Sequence, residues 1–174
     1  MAVGDVDTKP TEEMARLAQR GLDLRAEYGR GGTEVGVARA RDIANRANLS
    51  PETIGRMASF FARHRVDLDA EGARYGEDGY PTAGAVAWML WGGDPENPAG
   101  AGAGWAERKV RELEAAREKR MSRQMVAEYV ATIDADEADL DRKAFDALLA
   151  SIEKSVDRAQ VSGLLEHLHD KDTD

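Results

Sequence analysis

Apolar residues recur at three- and four-residue intervals along most of the chain, and no stretch reads as a strand. A first helix is predicted over residues 10–28, with Thr8 or Thr11 as its cap and Met14, Leu17, Gly21, Leu24 and Tyr28 at helical spacing. The run Gly29-Arg30-Gly31-Gly32 stops it. A second helix fits residues 34–47, with Val37, Ala40, Ala44 and Ala47 on one face and Arg39, Asp42 and Arg46 opposite. The third has the clearest start signal: Ser50 as N-cap, Pro51 in the first turn, and Glu52 at the positive end of the dipole. Its core face is Ile54, Met57, Ala58 and Phe61, and Arg56 and Arg63 point away.

Residues 66–81 read as a loop, broken by Gly72, Gly76, Gly79 and Pro81. Thr82 then caps a short helix carrying Ala83, Val86, Trp88, Leu90 and Trp91, which Gly92-Gly93 ends. A helix that is apolar all round belongs at the centre of a fold. Residues 93–104 have the Gly/Ala/Pro composition of a flexible linker. Beyond them a charged helix is expected from Trp105 to Arg120, continuing or restarting at Ser122 and reaching Ile133. Further on, Phe145, Leu148, Leu149, Ile152 and Val156 form an amphipathic stripe, followed by Val161, Leu164, Leu165 and Leu168. The predicted class is all-α: a compact, aromatic-cored helical module over residues 10–92, the linker at 93–104, and a charged helical extension over 105–170. The extension's stripes need a partner, so Phe145, Leu149, Ile152, Leu164 and Leu168 are candidate protein-interaction positions.

Composition narrows the chemistry. There are 174 residues and no cysteine, which excludes disulfides, thiolate metal sites and cysteine nucleophiles. No apolar run approaches the roughly 20 residues of a membrane span. The first twenty residues hold Asp5, Asp7, Glu12 and Glu13 without a signal-type apolar stretch, so a soluble, intracellular protein is expected. The net charge is −9, unevenly spread: nine arginines face five acids over residues 20–65, and twelve acids face five Lys/Arg over 134–174.

Each candidate site has a plainer reading beside it. The Gly29–Thr33 run before a helix could cradle a phosphate, but it follows no strand and lacks P-loop spacing, so a helix C-cap and turn explain it better. Arg39, Arg41, Arg46, Arg56, Arg63 and Arg65 could line a DNA-binding surface, with residues 50–64 as the recognition helix of a helix-turn-helix. Solvated helix faces explain the same charges. His64 sits beside an apolar face and is expected to satisfy a local hydrogen bond, while His167 and His169 are wrongly spaced for a shared helix face. No metal site is expected. The acids from Asp134 to Asp141 lack the glycine and glutamate of a calcium loop, having Asp139 and Phe145 at those positions. Trp88, Trp91 and Trp105 with Phe60, Phe61, Tyr75 and Tyr80 could cage a ligand or simply form core. No nucleophile–base or paired-carboxylate arrangement can be assembled, so neither catalysis nor a cofactor is expected.

Three segments taken in order, GGTEVGVARARDIANRANLSPETIGRMASFFARHRVD, EDGYPTAGAVAWMLWGGDP and WAERKV, carry a resemblance. They resemble a small domain of unknown biochemical function found in tailed-phage proteins, some linked to prohead protease or other head-assembly proteins. The similarity covers residues 21–112, about half the chain. Residues 96–104 and the acidic tail after Met121 depart from its pattern, and no protease domain accompanies it. The resemblance implies a phage virion or head-assembly component, located in the virion or host cytoplasm, that binds a phage structural protein or itself. A DNA-binding adaptor using the arginine-bearing helix pair is the alternative.

Overall fold

A computed structural model describes residues 6–132 of the chain. Among them the fold is all-α, with helices α1 (Glu12–Tyr28), α2 (Glu34–Ala44), α3 (Pro51–His64), α4 (Ala83–Leu90) and α5 (Ala101–Thr132). A 3-10 turn (Arg65–Asp69) follows α3, and the described residues contain no strand. The chain divides into two compact units, residues 1–113 and 114–174. The stripe expected at Phe145, Leu149, Ile152, Leu164 and Leu168 lies outside the described residues, as do His167, His169 and the acids from Asp134 onward.

Four helices of the first unit start in the same way. Thr11, Thr33, Ser50 and Thr82 sit in extended backbone, and each hydroxyl accepts from the N–H three residues on, at 3.1–3.3 Å. Each such cap satisfies an N–H that the helix leaves orphaned, a contribution of about 1 kcal/mol. At the other end of α1, Gly29 is left-handed and its N–H donates to Arg25 O. Helices α1 and α2 run antiparallel: Arg25 at the end of α1 pairs with Glu34, and Arg46 beyond α2 reaches back to Glu12.

Helix α4 lies at the centre of the unit. Ala85, Val86, Trp88, Met89 and Leu90 are all buried, Trp88 to 1 % exposure. Its packing partners are α1, α2, α3 and the 3-10 turn. Met14, Ala18 and Leu24 of α1, Val37, Ala40 and Ile43 of α2, and Ile54, Met57 and Phe61 of α3 belong to the same core. The approach is closer than side chains normally permit. A Cβ on Gly21 of α1 would lie 2.7 Å from Leu90 N, and one on Gly31 would lie 2.6 Å from the Val86 Cβ. Gly93 passes directly over the Trp88 indole, and Trp88 Nε1 is buried there with no hydrogen-bond partner.

Two expectations are corrected. The segment 93–104 is not a flexible linker: Gly93, Pro95, Gly102 and Ala103 are buried, and α5 begins at Ala101 rather than Trp105. Its glycines serve close approach, since a Cβ on Gly102 would meet Phe61 Cζ at 2.6 Å and Gly92 O at 2.7 Å. Trp105 and Ala106 of α5 are thus part of the core, and the compact unit runs to residue 113 instead of 92. Helix α2 ends at Ala44 rather than Ala47, because Arg46 takes a left-handed φ of 52°. Ala47 N–H then donates to Asp42 O and Arg46 N–H to Ile43 O, the Schellman pair of bonds that closes a helix.

The glycines separate packing from propensity. Gly21→Ala should destabilise the protein by about 1–3 kcal/mol, because the added methyl forces α1 off the α4 backbone. Gly55→Ala in α3, where no atom lies within 4 Å of the new Cβ, should stabilise by up to about 1 kcal/mol through helix propensity. Urea denaturation of the two variants checks the opposite signs.

Candidate functional site

The six arginines expected to form one surface do not act as a set. Arg46 donates from Nε to Pro10 O at 3.0 Å and pairs with Glu12 at 3.2 Å, so it ties the end of α2 to the start of α1. Arg39 is largely buried and pairs with Asp42 at 2.8 Å, its Nε lacking any partner. Arg56 pairs with Glu52 one turn away. Of the six, Arg41, Arg63 and Arg65 are exposed and outside the ion pairs formed among the described residues. Among the described elements, α2 packs chiefly on α1 and α4, and α3 on α4 and the 3-10 turn.

The Gly29–Thr33 run is a helix stop and turn. Gly31 O accepts from Arg25 Nε at 3.0 Å, and Thr33 caps α2. His64 lies 2.9 Å from Asp67 Oδ2 through Nδ1 and packs on Phe60 with centroids 4.6 Å apart. Among the described residues no three His, Cys, Asp or Glu side chains converge as metal ligands would.

The aromatic residues separate into three groups. Phe61, Trp88 and Trp105 are core, with Phe61 edge-on to Trp88 at 4.8 Å. Phe60 and Trp91 stack at 4.7 Å, half-buried at the margin of that core. Tyr75 and Tyr80 meet in a groove, Tyr80 half-buried against the core and Tyr75 exposed.

This groove is built by the loop that leads into α4. Glu77 organises the loop, its Oε2 accepting from the N–H groups of Gly72 and Arg74, both at 3.0 Å. Gly72 O in turn accepts from Thr82 N–H at 3.0 Å, which ties the loop to the cap of α4. Beyond α4, Glu96 Oε1 accepts from Tyr75 N–H at 2.8 Å and Asp94 Oδ1 from Glu96 N–H at 2.9 Å. Tyr75 is held by its backbone while its side chain stays 76 % exposed. Its ring meets Tyr80 edge-on at 5.6 Å.

The cleft has a volume of about 340 Å³. Leu17, Met89 and Pro95 give it apolar lining, the two tyrosines and Arg20 its aromatic and cationic wall, and Asp94 and Glu96 its acidic side. The Arg20 guanidinium lies 6.0 Å from the centre of the Tyr75 ring. Its pKa is raised above the ordinary arginine value, chiefly by a hydrogen bond with the Tyr80 side chain. Arg20, Asp94 and Glu96 were not among the residues the pattern of the sequence singled out. The available signal was a pair of tyrosines in a glycine-broken loop flanked by acids, which is weak without knowing that α1 lies alongside.

Comparison of the chain with family models, curated proteins and solved structures yields no match.

The arginine geometry has a direct test. Arg46→Ala should cost about 1–2 kcal/mol, because it removes two ties while keeping the strained left-handed backbone. Arg46→Gly should cost less, since glycine adopts that φ freely. Arg63→Ala should stay within about 0.5 kcal/mol of the parent, as exposed unpaired residues do. Thermal denaturation of the three variants checks the order.

Proposed function

We propose that this chain is a protein-binding component of a tailed-phage head, capsid-associated, decoration- or scaffold-like, and that it acts by docking rather than by chemistry. The groove of Arg20, Tyr75 and Tyr80 is the observation that carries the reading. Tyr and Arg dominate the residues that hold protein interfaces together, because they offer large, stiff contact area with polar ends. Here the Tyr75 backbone is held through its N–H to Glu96, and its ring rests edge-on to Tyr80 at 5.6 Å with the Arg20 guanidinium 6.0 Å from its centre. A pre-set side chain loses little conformational freedom on binding, which leaves more of the contact energy as affinity. The resemblance of residues 21–112 supports the phage assignment. Self-association through the stripe at Phe145, Leu149, Ile152, Leu164 and Leu168 is part of the same proposal.

A DNA-adaptor reading retains Arg41, Arg63 and Arg65 as exposed cations. It predicts salt-sensitive duplex binding in fluorescence anisotropy that falls when Arg63 and Arg65 are changed to Ala. Binding unchanged in that double variant removes the surface.

The head-protein reading is tested by titrating the purified chain with the capsid proteins of its phage, alongside light scattering across a concentration series. The expected result is binding that Tyr75→Ala weakens at least about tenfold, the scale of an interface hot spot. A chain that stays monomeric at every concentration and binds no head protein overturns the proposal.

A further inference from the structure

The charge around the groove identifies the kind of partner it takes. Residues 67–96 contain seven acids (Asp67, Asp69, Glu71, Glu77, Asp78, Asp94 and Glu96) and a single base, Arg74. This segment forms the loop, α4 and the turn beyond it, and so carries Tyr75, Tyr80 and most of the cleft's lining. Over residues 20–65 arginines outnumber acids nine to five, and of these arginines only Arg20 enters the cleft. Two of the acids already have side-chain partners within the fold, Asp67 in a hydrogen bond with His64 and Glu77 in an ion pair with Arg74. Asp69, Glu71 and Asp78 are exposed, and Asp94 and Glu96 line the groove with only backbone N–H donors on the oxygens described.

From this geometry we infer that the groove receives a basic, extended segment of a protein partner, with a lysine or arginine side chain laid against Tyr75 and directed at Asp94 and Glu96. The inference rests on the protein-binding reading above and adds the chemistry of the partner. A cation over an aromatic face gains about 0.5–1 kcal/mol at an exposed site, and nearby carboxylates add to it. The aliphatic stem of the same side chain matches the apolar lining of Leu17, Met89 and Pro95. Arg20 already lies over the Tyr75 ring, 6.0 Å from its centre, which leaves the other side of that ring to an incoming cation. The same acids repel a phosphate backbone, so this face is unsuited to nucleic acid. A volume of about 340 Å³ suits one or two side chains and is at the small end for a drug-sized ligand, for which the range is roughly 300–1,000 Å³.

The test uses the full chain labelled for NMR. It is titrated with a capped seven-residue peptide carrying four Lys/Arg, and with same-length peptides carrying Glu or Gln in their place. The basic peptide should shift the amide signals of Tyr75, Glu96 and Arg20, with binding that weakens as salt rises. The double variant Asp94→Asn with Glu96→Gln keeps the carbonyl acceptors and removes the charges. It should bind the basic peptide about three- to tenfold more weakly, with an otherwise unchanged spectrum to show that it is folded. Equal shifts from the Glu or Gln peptide, undiminished binding by the double variant, or no shift at Tyr75 would each overturn the inference. Head-protein binding that depends on Tyr75 but is not displaced by excess basic peptide would overturn it too, while leaving the protein-binding reading in place.

Discussion

Everything in the first unit depends on how closely other backbone segments approach α4. An eight-residue helix with no charged side chain has little to offer water, so all but its small residues Ala83, Gly84 and Ala87 are buried. Enclosing so short an element within a unit of this size leaves little room for side chains on its neighbours. Gly21, Gly31 and Gly93 supply the space, each at a point where a methyl group would collide with α4. The bulk is carried instead by α4 itself, through Trp88, Met89 and Leu90. Large residues on the enclosed helix face small ones around it, a match in size that native-like density requires.

The surface inherits its order from that arrangement. Because α4 is fixed from its cap onward, the loop tied to it through Thr82 and Gly72 is fixed as well. The turn after α4 is held by the passage of Gly93 over Trp88, and this sets Asp94 and Glu96 beside the loop. Tyr75 is therefore presented, against the half-buried Tyr80, by a scaffold that does not need its ring, and a side chain exposed on such a scaffold is free to serve binding. The arginines divide along the same line. Those at helix ends, Arg25 and Arg46, join elements together, whereas Arg41, Arg63 and Arg65 project from faces the core does not use.

Local chemistry left clear marks in the sequence. The Ser-Pro start of α3, the threonine before α4 and the glycines after α1 each predict a boundary, since caps and turns are decided by two to four adjacent residues. The periodic core positions Ile54, Met57 and Phe61 were equally legible. What failed were judgements that depend on distant neighbours. A Gly/Ala/Pro run reads as flexible unless one knows that Phe61 and Gly92 lie against it. A left-handed arginine at the end of α2 looks like one more helical residue until its bonds to Pro10 and Glu12 are seen.

The candidate groove shows the division most plainly. Its tyrosines were visible as aromatic residues in a loop, but Arg20, Leu17, Asp94 and Glu96 join them only through tertiary contact, over separations of up to about eighty residues. The amino-acid sequence by itself determined an all-α chain, its helix starts and a central apolar helix, because those follow from spacing and from side chains beside the backbone they cap. Tertiary structure alone decided which glycines pack, which arginines pair and which aromatics face water. Those outcomes depend on the distance between residues far apart in the chain, and no local pattern encodes it.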